Sequence, residues 1–324
     1  MIHFIVAPGH SYTFKPLIDP AAIVRPLPVK RWNYHQLFAR TRVARGTWVF
    51  CDLERLAVWE LQLAGEYARL MREAGLRVLN DPARAACRYE LLLRLHDAGF
   101  NRFRAWRAED GIPPARFPVF LRIESDHHMP LSRLIETPEA LDAPLARLAD
   151  LGIARRGVLI IEYEAEEYAP GVWRKYAVYR IGDRIVPDHI VHDVTWLAKY
   201  GNPKAWSEKP FAEEAEFLRD NPHEDALRRA FEIARIDYGR ADYGLVGGVP
   251  QIWEINTNPQ LSAPDLEKLA PERAPAHLAI RDVRLEALAA LDTPADGDPV
   301  AMVSPLLEAH RNRQRPGRPE LIRA

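Results

Sequence analysis

Four residues in the last third of the chain could do chemistry together: Arg240, Asp242, Glu254 and Asn256, within the stretch YGRADYGLVGGVPQIWEINTNPQL. Side chains alternate across a strand, so Arg240 and Asp242 share one face, as do Glu254 and Asn256. The residues around them, Val246 and Ile252 included, are those of a buried strand pair, and Gly247-Gly248 marks the turn. With residues 247–249 as the turn, Asp242 stands directly opposite Glu254, their Cβ atoms about 4.5–5.5 Å apart. An even-length turn sets Asp242 opposite Trp253 instead. Two carboxylates that close repel and raise each other's pKa unless a cation lies between them. Oxygen ligands suit Mg2+, which is held by one or two carboxylates together with substrate phosphates. The competing reading of the same spacing is an exposed hairpin face with solvated acids.

The elements that must carry these residues alternate between strand and helix. IHFIVA reads as an opening strand, the proline-punctuated stretch to about Lys30 as loop, and GTWVFCD as a second strand. Asp52 is placed to cap a helix through residues 53–75, with Leu56, Trp59, Leu63 and Leu70 on one face. LRVLNDP reads as a strand, and residues 82–100 as a helix with Pro82 in its first turn. FPVFLRIE is a strand, TPEALDAPLARLADLG a helix capped by Thr137, and GVLIIEYE a strong strand. WRKYAVYRIGDRIVPDHIV reads as a hairpin turning at Gly182-Asp183. KPFAEEAEFLRD and EDALRRAFEIARI are helices, the acidic hairpin follows, and AHLAIRDVRLEALAAL closes as a helix. The tail after Asp292, rich in Pro, Gly and Arg, reads as a loosely packed extension. The fold class is therefore α/β (α+β), with a small α/β lobe over residues 1–80, a main domain over 81–293 and a tail over 294–324.

Composition narrows the function. The chain has 324 residues and a formal net charge of -1, which gives no electrostatic reason to expect nucleic acid or an anionic membrane as partner. Only seven of its 44 basic residues are lysine. Cys51 and Cys87 lie far apart without metal-site spacing and read as reduced thiols of a cytoplasmic protein. The opening MIHFIVAPGH has no basic start and reads as a strand, not a signal peptide or membrane span.

The paired strands RADYG and IWEINTNP resemble those of the ATP-grasp superfamily, in which an Asp precedes a Glu-x-Asn-x-x-Pro by about a dozen residues. The resemblance implies an ATP-grasp fold, two α/β lobes gripping a nucleotide, with ATP and Mg2+ as cofactors. It implies that Asp242 and Glu254 bind magnesium, with Glu254 bridging two ions and Asn256 holding the second. VLIIEYEAEE resembles the strand and hinge that carry adenine, which puts Glu162 and Tyr163 in the linker, with a hinge near 162–165. FPVFLRIE and NDPARAACRYELLLRLHDAGFN resemble the elements that supply two phosphate-binding lysines. Here arginines stand in those places, Arg122 and Arg88. Arginine binds phosphate in bidentate fashion, with a geometry unlike that of a lysine point charge. Lys175 is a further candidate ligand of phosphate, or a strand lysine reaching solvent.

One other departure bears on the site. The loop that covers phosphate in the family is rich in glycine, because exposed backbone N–H groups cradle oxygens. This chain has ESDHHMPLS there, where Asp126, His127 and His128 are candidates for phosphate or metal, or are simply solvated. His189 and His192, three apart in a strand, point to opposite faces and do not share a metal. The resemblance implies a ligase that activates a carboxylate as an acyl phosphate for attack by an amine, with small-molecule or peptide substrates. Arg240 would then face the charge developing at the acyl centre, as in ligases resembling D-alanine–D-alanine ligase. A small-molecule kinase, or a binding protein that has lost catalysis, are the alternatives.

Overall fold

The computed structural model describes residues 1–18, 26–199, 201–261 and 269–312. Strand β1 (Ile2–Val6) is buried along its whole length, as expected for the centre of a parallel sheet covered on both faces. It lies between β2 (Val29–Asn33) and β4 (Thr47–Phe50), and β4 pairs in turn with β5 (Arg77–Leu79), all parallel. Short α1 (Lys15–Ile18) and α2 (Tyr34–Phe38) follow β1 and β2, β3 (Arg42–Val43) precedes β4, and α3 (Val58–Glu73) crosses from β4 to β5. A second unit comprises α4 (Arg88–Asp97), β6 (Ala105–Arg107), β7 (Val119–Ile123), α5 (Asp142–Asp150) and β8 (Val158–Glu162). Its antiparallel sheet runs β6-β8-β7.

The largest sheet runs β11-β10-β12-β13, with β9 (Glu167–Ala169) beside the start of β10. Strands β10 (Val172–Ile181) and β11 (Arg184–Asp193) form the hairpin turning at Gly182-Asp183. After α6 (Glu208–Asp220) and α7 (Glu224–Ala234) come β12 (Tyr238–Val246) and β13 (Val249–Asn256), then α8 (Ala274–Ala289). One face of this sheet buries Tyr176 and Tyr243, stacked at 5.2 Å, and Tyr176 meets Phe217 of α6 edge-on. The alternating residues of the same strands, Lys175, Arg240 and Asp242, belong to the other face.

One hydrophobic core runs without a break from the first sheet into the largest one, where Phe4 and Tyr238 lie 5.2 Å apart. The three-stranded unit has cores of its own, one around Val119, Ile160 and Leu148 and one around Phe103 and Leu159. Asn80 ties the first sheet to β12 by polar bonds: its amide donates to the carbonyls of Phe50 and Tyr238 and accepts from the N–H groups of Asp237 and Tyr238.

Several local expectations are corrected. The stretch before Lys30 is not all loop: a 3-10 turn over Ser11–Phe14 and α1 lie within it. Asp52 does not cap α3; it adopts a left-handed conformation, its carboxylate accepts from Ala7 N, and the helix starts six residues later under Ala57 and Glu60. The buried face of α3 is Leu63, Ala64, Tyr67, Ala68 and Met71, while Trp59 is half exposed and stacks on His310. Helix α4 starts at Arg88, well beyond Pro82, because Asp81 holds residues 83–85 in a turn through its side chain and carbonyl. Residues 294–299 of the tail are exposed, as expected, but from residue 300 on the described tail is packed rather than loose. β14 (Val300–Ala301) pairs with β3, Met302 is fully buried, and α9 (Pro305–Arg311) buries Leu307. Residues 313–324 lie outside the described residues. No helix among the described residues is long and apolar enough to cross a membrane.

Candidate functional site

The acidic hairpin turns on two residues, with Val246 paired to Val249, so the expected three-residue turn is corrected. Asp242 nevertheless faces Glu254. The register shifts between Asp242 and Tyr243, and Trp253 is the extra residue of a bulge that restores the odd count. The bulged indole needs room, and Gly244 supplies it: a Cβ there would lie 2.5 Å from Cζ2 of Trp253. Gly244→Ala should therefore displace the indole and cost about 1–3 kcal/mol, the usual range for overpacking. Urea denaturation followed by tryptophan emission checks this, and an unchanged midpoint would show that the indole has space to spare.

Around this pair the charges are arranged in two sets. Lys175 donates to Asp242 at 2.7 Å, and Arg240 Nε donates to its other oxygen at 3.1 Å. Glu254 is paired with Arg88, and Arg122 donates to the same oxygen at 3.3 Å. Burial alone would raise the Glu254 carboxyl, but Arg88 and Arg122 outweigh it and hold the group far below the usual carboxylate range. Burial likewise opposes ionisation of Asp242, and Arg240 and Lys175 bring it down. Four cations thus face two carboxylates, an excess of positive charge suited to a polyanion.

These groups, Arg88 excepted, form one wall of a cavity of about 300 Å3, a size typical of a small-molecule site. Arg122, Lys175, Arg240, Asp242, Glu254 and Asn256 line its polar side. Phe103, Phe120, Ile161, Tyr163, Trp196 and Trp253 line its apolar side. Trp196 lies 5.1 Å from Phe120 and edge-on to Tyr163, and Trp253 donates Nε1 to the carbonyl of Glu164. An apolar slot beside a cationic wall is the complement of a molecule with a flat ring at one end and anionic groups at the other.

Not every expected residue takes the place the sequence suggested. Arg88 does not line this cavity. It is buried, and its Nη1 donates to the carbonyls of Ile123, Glu124 and Asp126, so it pins the end of β7 and the following loop. In this structure its hydrogen bonds go to protein groups. The carboxylate of Glu162 is also committed, accepting from the backbone N–H groups of Arg104 and Arg116. Glu162, Tyr163, Arg122 and Lys175 all line the cavity. Arg240 lies between Asp242 and Asp188, the latter 3.6 Å from Nη1.

Glu54, Lys199 and Asn258 contribute to the site without a signal in the sequence. His127 of the glycine-free loop bonds Glu54 of the first lobe at 2.8 Å and lies 3.9 Å from Glu254. Lys199 donates to the carbonyl of His127 and lines the cavity. At the end of β13, Asn258 donates its N–H to Asn256 Oδ1, and its amide reaches Asp52. His128 pairs with Asp126, and His189 with Asp188. Among the described residues no cluster of three His, Cys, Asp or Glu side chains could hold a metal. A magnesium ion would rest on Asp242 and Glu254 with the Asn256 amide oxygen, an all-oxygen donor set that fits it.

No family model matches the sequence, and no curated protein is similar to it. Solved structures are similar. D-alanine–D-alanine ligase from Bacillus anthracis superposes with a TM-score of 0.50 at 12% identity, over 90% of this chain and 96% of that one. A RimK domain ATP-grasp protein from Sphaerobacter thermophilus gives 0.47 at 16% identity, over 87% and 98%. The ATP-grasp ligase PsnB with its minimal precursor gives 0.46 at 15%, over 86% and 98%. The chain has the ATP-grasp fold.

Proposed function

We propose that the protein is an ATP- and Mg2+-dependent ligase that activates a carboxylate as an acyl phosphate for attack by an amine. The observation that carries this reading is the opposed pair Asp242 and Glu254, ringed by cations at one end of an aromatic slot. The adenine ring lies against Tyr163, Trp196 and Trp253, beside the 162–165 hinge, and the phosphates extend toward Arg122 and Lys175. Bound Mg2+ supplies charge neutralisation between the carboxylates and the phosphates. In the first step a substrate carboxylate oxygen attacks the terminal phosphorus and ADP leaves. In the second the amine nitrogen bonds the acyl carbon, phosphate departs, and the nitrogen loses a proton. Arg240 lines the cavity beside Lys175, and its guanidinium stabilises the oxyanion that develops in that second step. The fold of D-alanine–D-alanine ligase agrees with this chemistry, and a transfer that stopped at a hydroxyl would have less use for Arg240.

Saturating MgATP should stabilise the folded chain, by about 2.7 kcal/mol at a hundredfold excess over the dissociation constant. Thermal melts with and without MgATP measure the binding, and ADP release in a mixture of amino acids and small carboxylates measures the reaction. A folded protein whose melting temperature ignores MgATP would refute the nucleotide site.

A further inference from the structure

A second cavity, of about 310 Å3, lies beside the first and shares Lys199 with it. It is lined by Val191 and His189 of β11, by Trp206 and Phe211, and by Glu214 and Arg273. A chain of contacts leads to it from the first site. Arg240 Nη1 is 3.6 Å from Asp188 Oδ2, and the same oxygen is 3.0 Å from His189 Nδ1.

The charged groups in this cavity are unequally committed. Glu214 is 2% exposed and accepts from Ile190 N, from Arg273 through Nε and Nη2, and has His277 Nε2 at 3.2 Å. Burial alone would raise its carboxyl, but His277 and Arg273 bring it down to about 2. Glu214 is therefore ionised and already surrounded by donors, with no need of a cationic ligand. Arg273 is different. Its Nη1 donates to none of the described residues, while its guanidinium carbon sits 5.6 Å from the Phe211 ring. The cavity thus offers one unused guanidinium nitrogen on the side chain beside Phe211, whose ring lies 6.3 Å from that of Trp206.

Building on the ligase reading, we infer that this cavity binds the amine substrate, an amino carboxylate with an apolar body, whose carboxylate rests on Arg273. The apolar body packs on Phe211, Trp206 and Val191, and the amino group lies at the His189 end, nearest Arg240. The carboxylate on Arg273 is not the one that is activated, because Arg273 has no contact with the nucleotide cavity.

The test is calorimetric titration of the full chain with three probes: L-phenylalanine, 3-phenylpropionate, which lacks the amine, and phenethylamine, which lacks the carboxylate. Phenylalanine and phenylpropionate should bind, and phenethylamine at least tenfold more weakly. Arg273→Met should weaken phenylalanine at least tenfold. Because Arg273 also holds Glu214, Val191→Phe serves as a second variant that fills the cavity and leaves that pair intact; it should block phenylalanine too. MgATP is titrated into every protein in parallel. Phenylalanine binding lost in both variants with MgATP binding retained supports the assignment. Phenylalanine binding without MgATP binding supports the second cavity and overturns the nucleotide reading. MgATP binding without phenylalanine binding, equal binding of phenethylamine, or binding untouched by Val191→Phe would overturn the assignment and leave the ligase reading standing.

Discussion

Arg240→Ala is expected to lower the turnover number by about 10²- to 10³-fold while leaving MgATP affinity nearly unchanged. That is the range for removing one donor aimed at a developing oxyanion. The prediction depends on the contacts Arg240 already has. It holds Asp242 through Nε at 3.1 Å, but Lys175 holds the other carboxylate oxygen at 2.7 Å and remains in the variant. Asp242 therefore keeps a partner, and the nucleotide end of the site keeps its shape. An interaction made mainly in the transition state appears in turnover and not in ground-state affinity. Arg240→Lys should rescue little, since a point charge cannot serve Asp242, Asp188 and the acyl centre together. Steady-state kinetics beside nucleotide titrations decide the matter. Full turnover in the alanine variant, or affinity and turnover falling in step, would make Arg240 a structural partner of the two aspartates.

The second large effect belongs to Arg88, and it is on stability. Arg88→Met removes the buried guanidinium that donates to the carbonyls of Ile123, Glu124 and Asp126 and to Glu254. Breaking a buried ion pair from one side costs about 3–5 kcal/mol, and with Arg122 still on Glu254 the expected loss lies toward the lower end of that range. Arg122→Met should behave in the opposite way. Arg122 makes a single hydrogen bond to Glu254 at 3.3 Å and lines the cavity, so its loss should weaken MgATP more than it destabilises the fold. Urea denaturation of both variants, with MgATP titrations of both, separates the roles. An Arg88→Met protein as stable as the parent would sink this reading.

The two arginines also show how far the sequence could be read. Both stand where the resemblance places lysines, and nothing local distinguishes them. Only the tertiary structure shows that Arg88 turns toward the carbonyls of β7 and Arg122 toward the cavity. Elements with strong patterns were legible. The Gly182-Asp183 hairpin and the helices α6, α7 and α8 lie where alternation and periodicity put them. Strand β2 was not legible, because its edge position leaves Lys30 and Arg31 exposed and removes the alternation. The start of α2 did carry a usable signal, the reciprocal cap between Asn33 and Gln36. The opposition of Asp242 and Glu254 was anticipated on a three-residue turn and is reached by a two-residue turn with a bulge. A bulge depends on whether a side chain finds space across the ladder, here Trp253 over Gly244, and single-sequence spacing does not contain that. Glu54, which reaches His127 from the first lobe, was invisible because its partner is 73 positions away.

The unbroken core between the first sheet and the largest one divides the molecule mechanically. Phe4, Phe14 and Phe50 share apolar contacts with Tyr238 and Ile252, so these two sheets form one anvil that cannot be parted without exposing that core to water. The three-stranded unit, with separate cores, is the hammer. Its helix α4 sinks Leu91 and Leu95 into the anvil's core, whereas β7 and the loop after it reach the anvil through Arg122 on Glu254 and His127 on Glu54. Ionic contacts rearrange at far lower cost than a packed interior, and these ones surround the proposed phosphate site. A polyanion that drew Arg122 away from Glu254 would therefore also loosen this contact between hammer and anvil.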